Sequence, residues 1–114
     1  MSNQSKACEF TNKVRQEIYE RDNNSCIMPD CMNPFGLGIA HIFKSRAKGG
    51  LGVAQNGVTL CQHHHGLLDN GRSAAQAEYI DRYCKEYLTQ HYGTIKMEDI
   101  TYDKWKGLHA WKSE

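Results

Sequence analysis

Cys26-Ile27-Met28-Pro29-Asp30-Cys31, Ala40-His41-Ile42-Phe43-Lys44-Ser45-Arg46 and Asn56-Gly57-Val58-Thr59-Leu60-Cys61-Gln62-His63-His64-His65 follow one another closely and hold most of the chain's metal-binding and proton-transferring side chains. Cys26 and Cys31 are separated by four residues, and Cys61 and His64 by two. Spacings this short let each pair come from a single loop or helical turn, and two such pairs close a tetrahedral zinc site. The apolar runs Leu37 to Phe43 and Val58 to Leu60 stand among Pro29, Pro34 and many glycines, which suits two short strands joined by a long loop. Cys61 to Asn70 then has the length of a short helix, with Gly71 as its stop.

On the N-terminal side, Phe10, Val14 and Ile18 recur every four residues in a polar background. That period predicts one packing helix over about 10–23, ending near Asn23-Asn24. On the C-terminal side, Ser73 to Gln76 reads as a capping box, and Ile80, Cys84, Tyr87 and Leu88 continue an apolar face up to Gly93, which predicts a second packing helix over about 73–92. The tail 94–114 carries Ile100, Tyr102, Trp105, Leu108 and Trp111, so it is expected to pack on the domain, with Lys112-Ser113-Glu114 fraying. No repeat, linker or low-complexity tract interrupts the chain. The expectation is one α+β domain over residues 1–114.

With 114 residues, 39% of them hydrophobic, the chain can build only a small core. A staple is therefore expected. A structural zinc contributes on the order of 10 kcal/mol of folding free energy, comparable to the net stability of a small domain. The five cysteines are an odd number, no apolar run approaches membrane length, and Met1-Ser2-Asn3-Gln4-Ser5 lacks the pattern of a signal peptide. Together these point to a soluble protein of a reducing, cytoplasmic compartment whose thiols bind metal. Cys8 and Cys84 fall outside the ligand spacing and read as free thiols, Cys84 buried on its helix face. A net charge of +1 does not by itself indicate a nucleic-acid partner. Local charge says more: Lys44, Arg46 and Lys48 follow His41, and Lys13, Arg15 and Arg21 fall in the first packing helix, although a solvated face explains such positions equally well.

Taken in order, His41, Lys44 to Arg46, Gly49-Gly50, Asn56-Gly57, Cys61, His64, His65 and Asp69 resemble the signature of the HNH nucleases, the ββα-metal family that cuts DNA. Asn56 lies fifteen residues after His41 and His65 nine after Asn56, the spacing of the family's colicin-type members. The resemblance covers about Cys26 to Gly71 and implies a central ββα-metal unit, stapled by zinc on Cys26, Cys31, Cys61 and His64 and flanked by helices. It also implies a chemistry. A phosphodiester resists hydrolysis because water is a poor nucleophile and the leaving oxygen carries charge, so a base near neutral pKa and a divalent cation are needed.

In the resemblance, His41 is that general base, Asn56 ties down the long loop and helps orient it, and His65 binds the catalytic cation. Asp69, four residues after His65, projects from the same helix face and can share the cation, whether Mg²⁺, Mn²⁺ or Ni²⁺. Lys44, Arg46 and Lys48 are the candidate phosphate contacts, Gly49-Gly50 a tight turn and His63 a surface residue. The resemblance further implies 5′-phosphate and 3′-hydroxyl ends, DNA as partner, no membrane association and, for the small stand-alone phage or prophage type, packaging proteins as possible partners in the host cytoplasm.

Ala40 departs from the pattern, because many family members carry a metal-binding Asp or His immediately before the base. It motivates a second reading, a catalytically inactive zinc-containing nucleic-acid-binding module. A third reading, a zinc-ribbon scaffold for protein contacts, has no use for His41, Asn56, His65 and Asp69 together.

Overall fold

In the computed structural model of the chain, which describes residues 3–29, 31–70 and 74–103, a two-stranded hairpin is held between helices. Helix α1 is Asn3–Cys8 and α2 is Asn12–Arg21. The strands β1, Leu37–His41, and β2, Gly57–Cys61, pair antiparallel with Leu37 opposite Cys61 and His41 opposite Gly57. Helix α3, Gln62–Asn70, follows β2 without a loop, then come α4, Ala74–Tyr92, and a short α5, Met97–Ile100. None of these helices is long and apolar enough to cross a membrane.

The predicted strands and packing helices are present, with shifted ends, and Gly71, the expected stop of the short helix, lies outside the described residues. Thr11 caps α2 by accepting a 3.2 Å hydrogen bond from the Val14 N–H. The helix stops where Asn23 and Asn24 turn left-handed, at φ 59° and 52°, a conformation asparagine tolerates better than most residues. The first apolar run leaves the ladder after His41, since the Ile42 N–H bonds instead to the Asn56 carbonyl at 2.9 Å. Gly93, at φ 76°, ends α4 as expected, its N–H on the Thr89 carbonyl. Ser73, and with it the capping box, lies outside the described residues, as do Trp105, Leu108, Trp111 and Lys112-Ser113-Glu114. The described part of the tail does pack: Leu51 N–H bonds to the Ile100 carbonyl at 2.7 Å and Tyr102 N–H to the Gly49 carbonyl at 2.7 Å. The Gly49-Gly50 turn is needed there, because Gly49 is left-handed at φ 88° and a Cβ on Gly50 would collide with the Lys44 carbonyl.

Apolar side chains gather on both sides of the hairpin. Ala40, Val58 and Leu60 pack with Ile80, Cys84 and Leu88 of α4, while Ile39 packs with Phe10, Ile18 and Ala54. Gly57 lets the second layer close, since a Cβ there would stand 2.7 Å from the Phe10 ring. Between α2, β2 and α4 sits a polar hub that decides between the two readings of Arg21 and turns it inward. Its guanidinium meets Asp22 at 2.7 and 2.9 Å and donates to the carbonyls of Ala54 at 2.9 Å and Gly57 at 2.7 Å. Asp22, 4% exposed, also accepts from Thr59 N–H at 2.9 Å and Tyr87 O–H at 2.6 Å. Arg21 faces inward because these oxygens satisfy its planar fork, which a lysine could not match.

Candidate metal centre and hydrolytic cleft

The chain turns sharply after α2, and Cys26 and Cys31 come from that turn. Cys26 N–H bonds to the Asn33 carbonyl at 3.1 Å, Ile27 N–H to the Thr59 carbonyl at 3.1 Å, and Cys31 N–H to the Met28 carbonyl at 3.2 Å. These bonds moor the turn to β2, whose last residue is Cys61; His64 lies in the first turn of α3. The Sγ atoms of Cys31 and Cys61 are 3.9 Å apart, and His64 Nδ1 lies 3.5 Å from Cys26 Sγ and 3.3 Å from Cys61 Sγ. All four ligand atoms fall within 4.8 Å of one another. A tetrahedral zinc with sulfur at about 2.3 Å and nitrogen at about 2.0 Å has S···S edges of roughly 3.8 Å and N···S edges of roughly 3.5 Å. The four-residue knuckle therefore closes, and the cluster can hold a metal ion. Among the described residues it is the only group of three or more His, Cys, Asp or Glu so placed.

The electrostatics divide the ligand set. Burial pushes the Cys26 thiol up to about 11. Cys61 goes the other way: burial opposes its thiolate, but the N–H groups of His64 and His63 and the neighbouring thiols outweigh it and lower its pKa. The start of α3 thus favours charge on Cys61, as helix N-termini do for thiolates. Burial, then the nearby His63, lowers His64 and keeps its imidazole neutral, the form that binds metal. His63 itself is exposed.

His41 and His65 line a different space. His41 ends β1, and its Nε2 is 2.8 Å from the Cys8 carbonyl oxygen at the end of α1. A carbonyl only accepts, so Nε2 carries the hydrogen and Nδ1 keeps the free lone pair. The Phe10 ring stands against the imidazole, centroids 4.4 Å apart and planes tilted 42°. Burial lowers the His41 pKa below the ordinary 6.5; the Cys8 carbonyl opposes this, and the nearby Arg46 and His65 add to it. A cavity of about 550 Å³ brings His41 together with His65, Arg46, Arg15 and Glu9.

His65 Nε2 lies 3.1 Å from Asp69 Oδ2, one turn along α3. On its other side, a Cβ added to Gly38 would lie 3.5 Å from His65 Nδ1, so the ring rests against β1 over a residue without a side chain. Ala40, one pleat further, is 3% exposed and offers no donor atom.

Asn56 is fully buried, and all four of its side-chain bonds go to the backbone of the long loop. Oδ1 accepts from Phe43 N–H at 2.8 Å and Lys44 N–H at 3.1 Å; Nδ2 donates to the Lys44 carbonyl at 3.0 Å and the Leu51 carbonyl at 3.1 Å. It clamps the loop, while the bond that fixes the His41 ring comes from Cys8. Of the basic trio, Arg46 lines the cleft, Lys48 is exposed and Lys44 is half-buried.

Glu9, Phe10, Arg15 and the Cys8 carbonyl were not singled out for this site by the sequence. Phe10 reads as one more member of an apolar stripe, Arg15 as surface charge, and a main-chain carbonyl leaves no trace in residue identity.

A family model described as HNH endonuclease matches residues 8–74. No curated protein and no solved structure matches the chain.

Proposed function

This chain belongs to the HNH endonuclease family, and from that membership and the geometry of the cleft we propose that it is a metal-dependent endonuclease that hydrolyses phosphodiester bonds in DNA. The observation that carries the reading is the 2.8 Å bond from His41 to the Cys8 carbonyl, which leaves Nδ1 as the basic nitrogen in a cleft shared with His65 and Arg46. His41 takes a proton from the attacking water, and its lowered pKa keeps it unprotonated at neutral pH. Arg46 holds a phosphate oxygen pair through its planar fork. Lys44 and Lys48 add positive charge along the loop, and Asn56 keeps that loop in place. His65 and Asp69 are the residues to hold a divalent cation, Mg²⁺, Mn²⁺ or Ni²⁺; when bound, such a cation supplies charge stabilisation at the scissile phosphate and the leaving oxygen. Zinc on Cys26, Cys31, Cys61 and His64 is the structural staple.

The second reading, a nucleic-acid binder without catalysis, is favoured by Ala40, which leaves His65 and Asp69 without a donor from β1. Supercoiled plasmid incubated with the purified protein and each cation separates the two. The expected outcome is nicking that falls by about 10² to 10⁴-fold in His41→Ala, the usual contribution of a general base. In Asp69→Ala, the half-activating cation concentration should rise while the fold persists. Binding without cutting under every cation would replace the nuclease reading with the binder, and an undiminished rate in His41→Ala would remove His41 from the mechanism.

A further inference from the structure

The cleft at His41 does not end at the catalytic residues. A cavity of about 650 Å³ adjoins it and shares Cys8 and Arg46 with it. A third cavity, of about 440 Å³, shares Asn12 and Arg15 with it and is otherwise lined by Gln16, Tyr19, Glu20 and Asn24. The three spaces are therefore neighbours in series, with the His41 and His65 site in the middle and one arginine at each junction.

We infer that this channel takes a single nucleic-acid strand, and that Arg15 and Tyr19 of α2 form a subsite for the nucleotide next to the scissile phosphate. The inference rests on the nuclease reading and extends it to substrate class. Asn12, Arg15, Gln16 and Tyr19 are three, four and seven residues apart, which places them on one face of α2. Ile18 is buried in the core with Val14 and Tyr19 half-buried against it, so Tyr19 packs inward with part of its surface and lines the cavity with the rest.

The pair is already arranged for a nucleotide. Arg15 Nη2 lies 3.2 Å from the Tyr19 hydroxyl, and the guanidinium stands 5.9 Å from the Tyr19 ring centroid. Two planar groups are held together, one cationic and one aromatic. Such surfaces bind single strands by pairing with phosphate and stacking on bases, with little regard to sequence. The amides of Asn12, Gln16 and Asn24 add hydrogen-bonding partners for base edges.

Two acids also face the channel. Glu20 accepts from Gln16 Nε2 at 3.1 Å, away from the reaction centre, and Glu9 lines the central cavity together with Arg15 and Arg46. Arg15 and Arg46 are left as the charges available to a polyanion on either side of the centre.

The test uses the full chain carrying His41→Ala, so that substrate is bound and not cut, in Mg²⁺. Fluorescein-labelled single strands and the same sequence as a duplex are titrated by anisotropy, with Arg15→Ala, Tyr19→Leu and, as a control on α4, Lys85→Ala added in turn. The parent is expected to bind the single strand at least as tightly as the duplex. Arg15→Ala and Tyr19→Leu should each weaken the single strand by roughly tenfold, within the usual range for a stacked base, and Lys85→Ala by less than twofold. Arg15→Ala should also make the salt dependence shallower by about one unit. Tyr19→Phe keeps the ring and should retain most of the affinity, which guards against a folding defect in Tyr19→Leu. Single-strand affinity unchanged in Arg15→Ala, or losses confined to duplex, would overturn the subsite. A wild-type protein that cuts plasmid while Arg15→Ala binds normally overturns the subsite alone; a parent that binds neither form overturns the nuclease reading with it.

Discussion

In the proposed mechanism His41 owes its properties to three neighbours: the Cys8 carbonyl fixes which nitrogen is basic, Phe10 shields the ring, and Arg46, the proposed phosphate contact, adds positive charge nearby. The sign of the resulting shift sets a pH profile. Because burial lowers the folded pKa, His41 stays unprotonated below the pH at which a free imidazole would take up its proton. The acid limb of kcat/KM should therefore fall below pH 6.5, and Phe10→Leu, which lets water nearer the ring, should move that limb upward toward 6.5. A limb that does not move would show that Phe10 packs without tuning the base. For stability the same shift works against acid: the unfolded chain binds the proton first, so the contribution of neutral His41 is present above 6.5 and is lost as pH drops from there through the folded value. At this scale the sequence was legible where side chains recur at fixed intervals: His41 and His65 do come to one cavity, and Asn56 is buried in the long loop between them. It was silent on the Cys8 carbonyl, and it left Asn56 only partly read, because four bonds to the loop backbone depend on where Phe43, Lys44 and Leu51 end up in space.

Among the elements, α2, the two strands, α3 and α4 were each announced by period or by flanking breakers. The first helix, α1, was not, because Asn3-Gln4-Ser5-Lys6-Ala7-Cys8 has no apolar period; its cause is tertiary, through the Gly52 N–H bond to the Ala7 carbonyl at 3.0 Å and the Cys8 side chain, which is fully buried. The last turn of α2 was ambiguous for a different reason. Arg21 looks like surface charge until Asp22, Ala54 and Gly57 are known to surround it. Arg21→Ala should accordingly destabilise the fold by about 3 to 5 kcal/mol, since it strands the Asp22 carboxylate beneath the surface without its partner. Urea denaturation measures this, and Arg21→Lys should recover only part of the loss because an ammonium cannot span the same oxygens. A cost within 0.5 kcal/mol, typical of surface positions, would mean that the hub is dispensable.

For the molecule as a whole, a two-stranded hairpin is too little sheet to be stable alone, and the chain compensates by covering both of its faces and tying the ends of its elements together. The cysteine and histidine cluster joins the turn after α2 to the junction of β2 and α3. Stripping metal with a strong chelator should therefore cost on the order of 10 kcal/mol and abolish cooperative unfolding, while native mass spectrometry of the untreated protein should find one zinc per chain. A chelated protein that melts as before would show the cluster to be idle. The placement of His64 and His65 carries a consequence of its own. Adjacent residues on a helix point about 100° apart, so a single backbone segment aims one imidazole at the cysteine cluster and the next at the hydrolytic cleft. Any rotation of α3 about its axis misdirects both at once. The helix is an axle whose azimuth is set by the ligands at one bearing and read out as chemistry at the other, and a one-residue slip among His63, His64 and His65 would leave three histidines in place with both assignments lost.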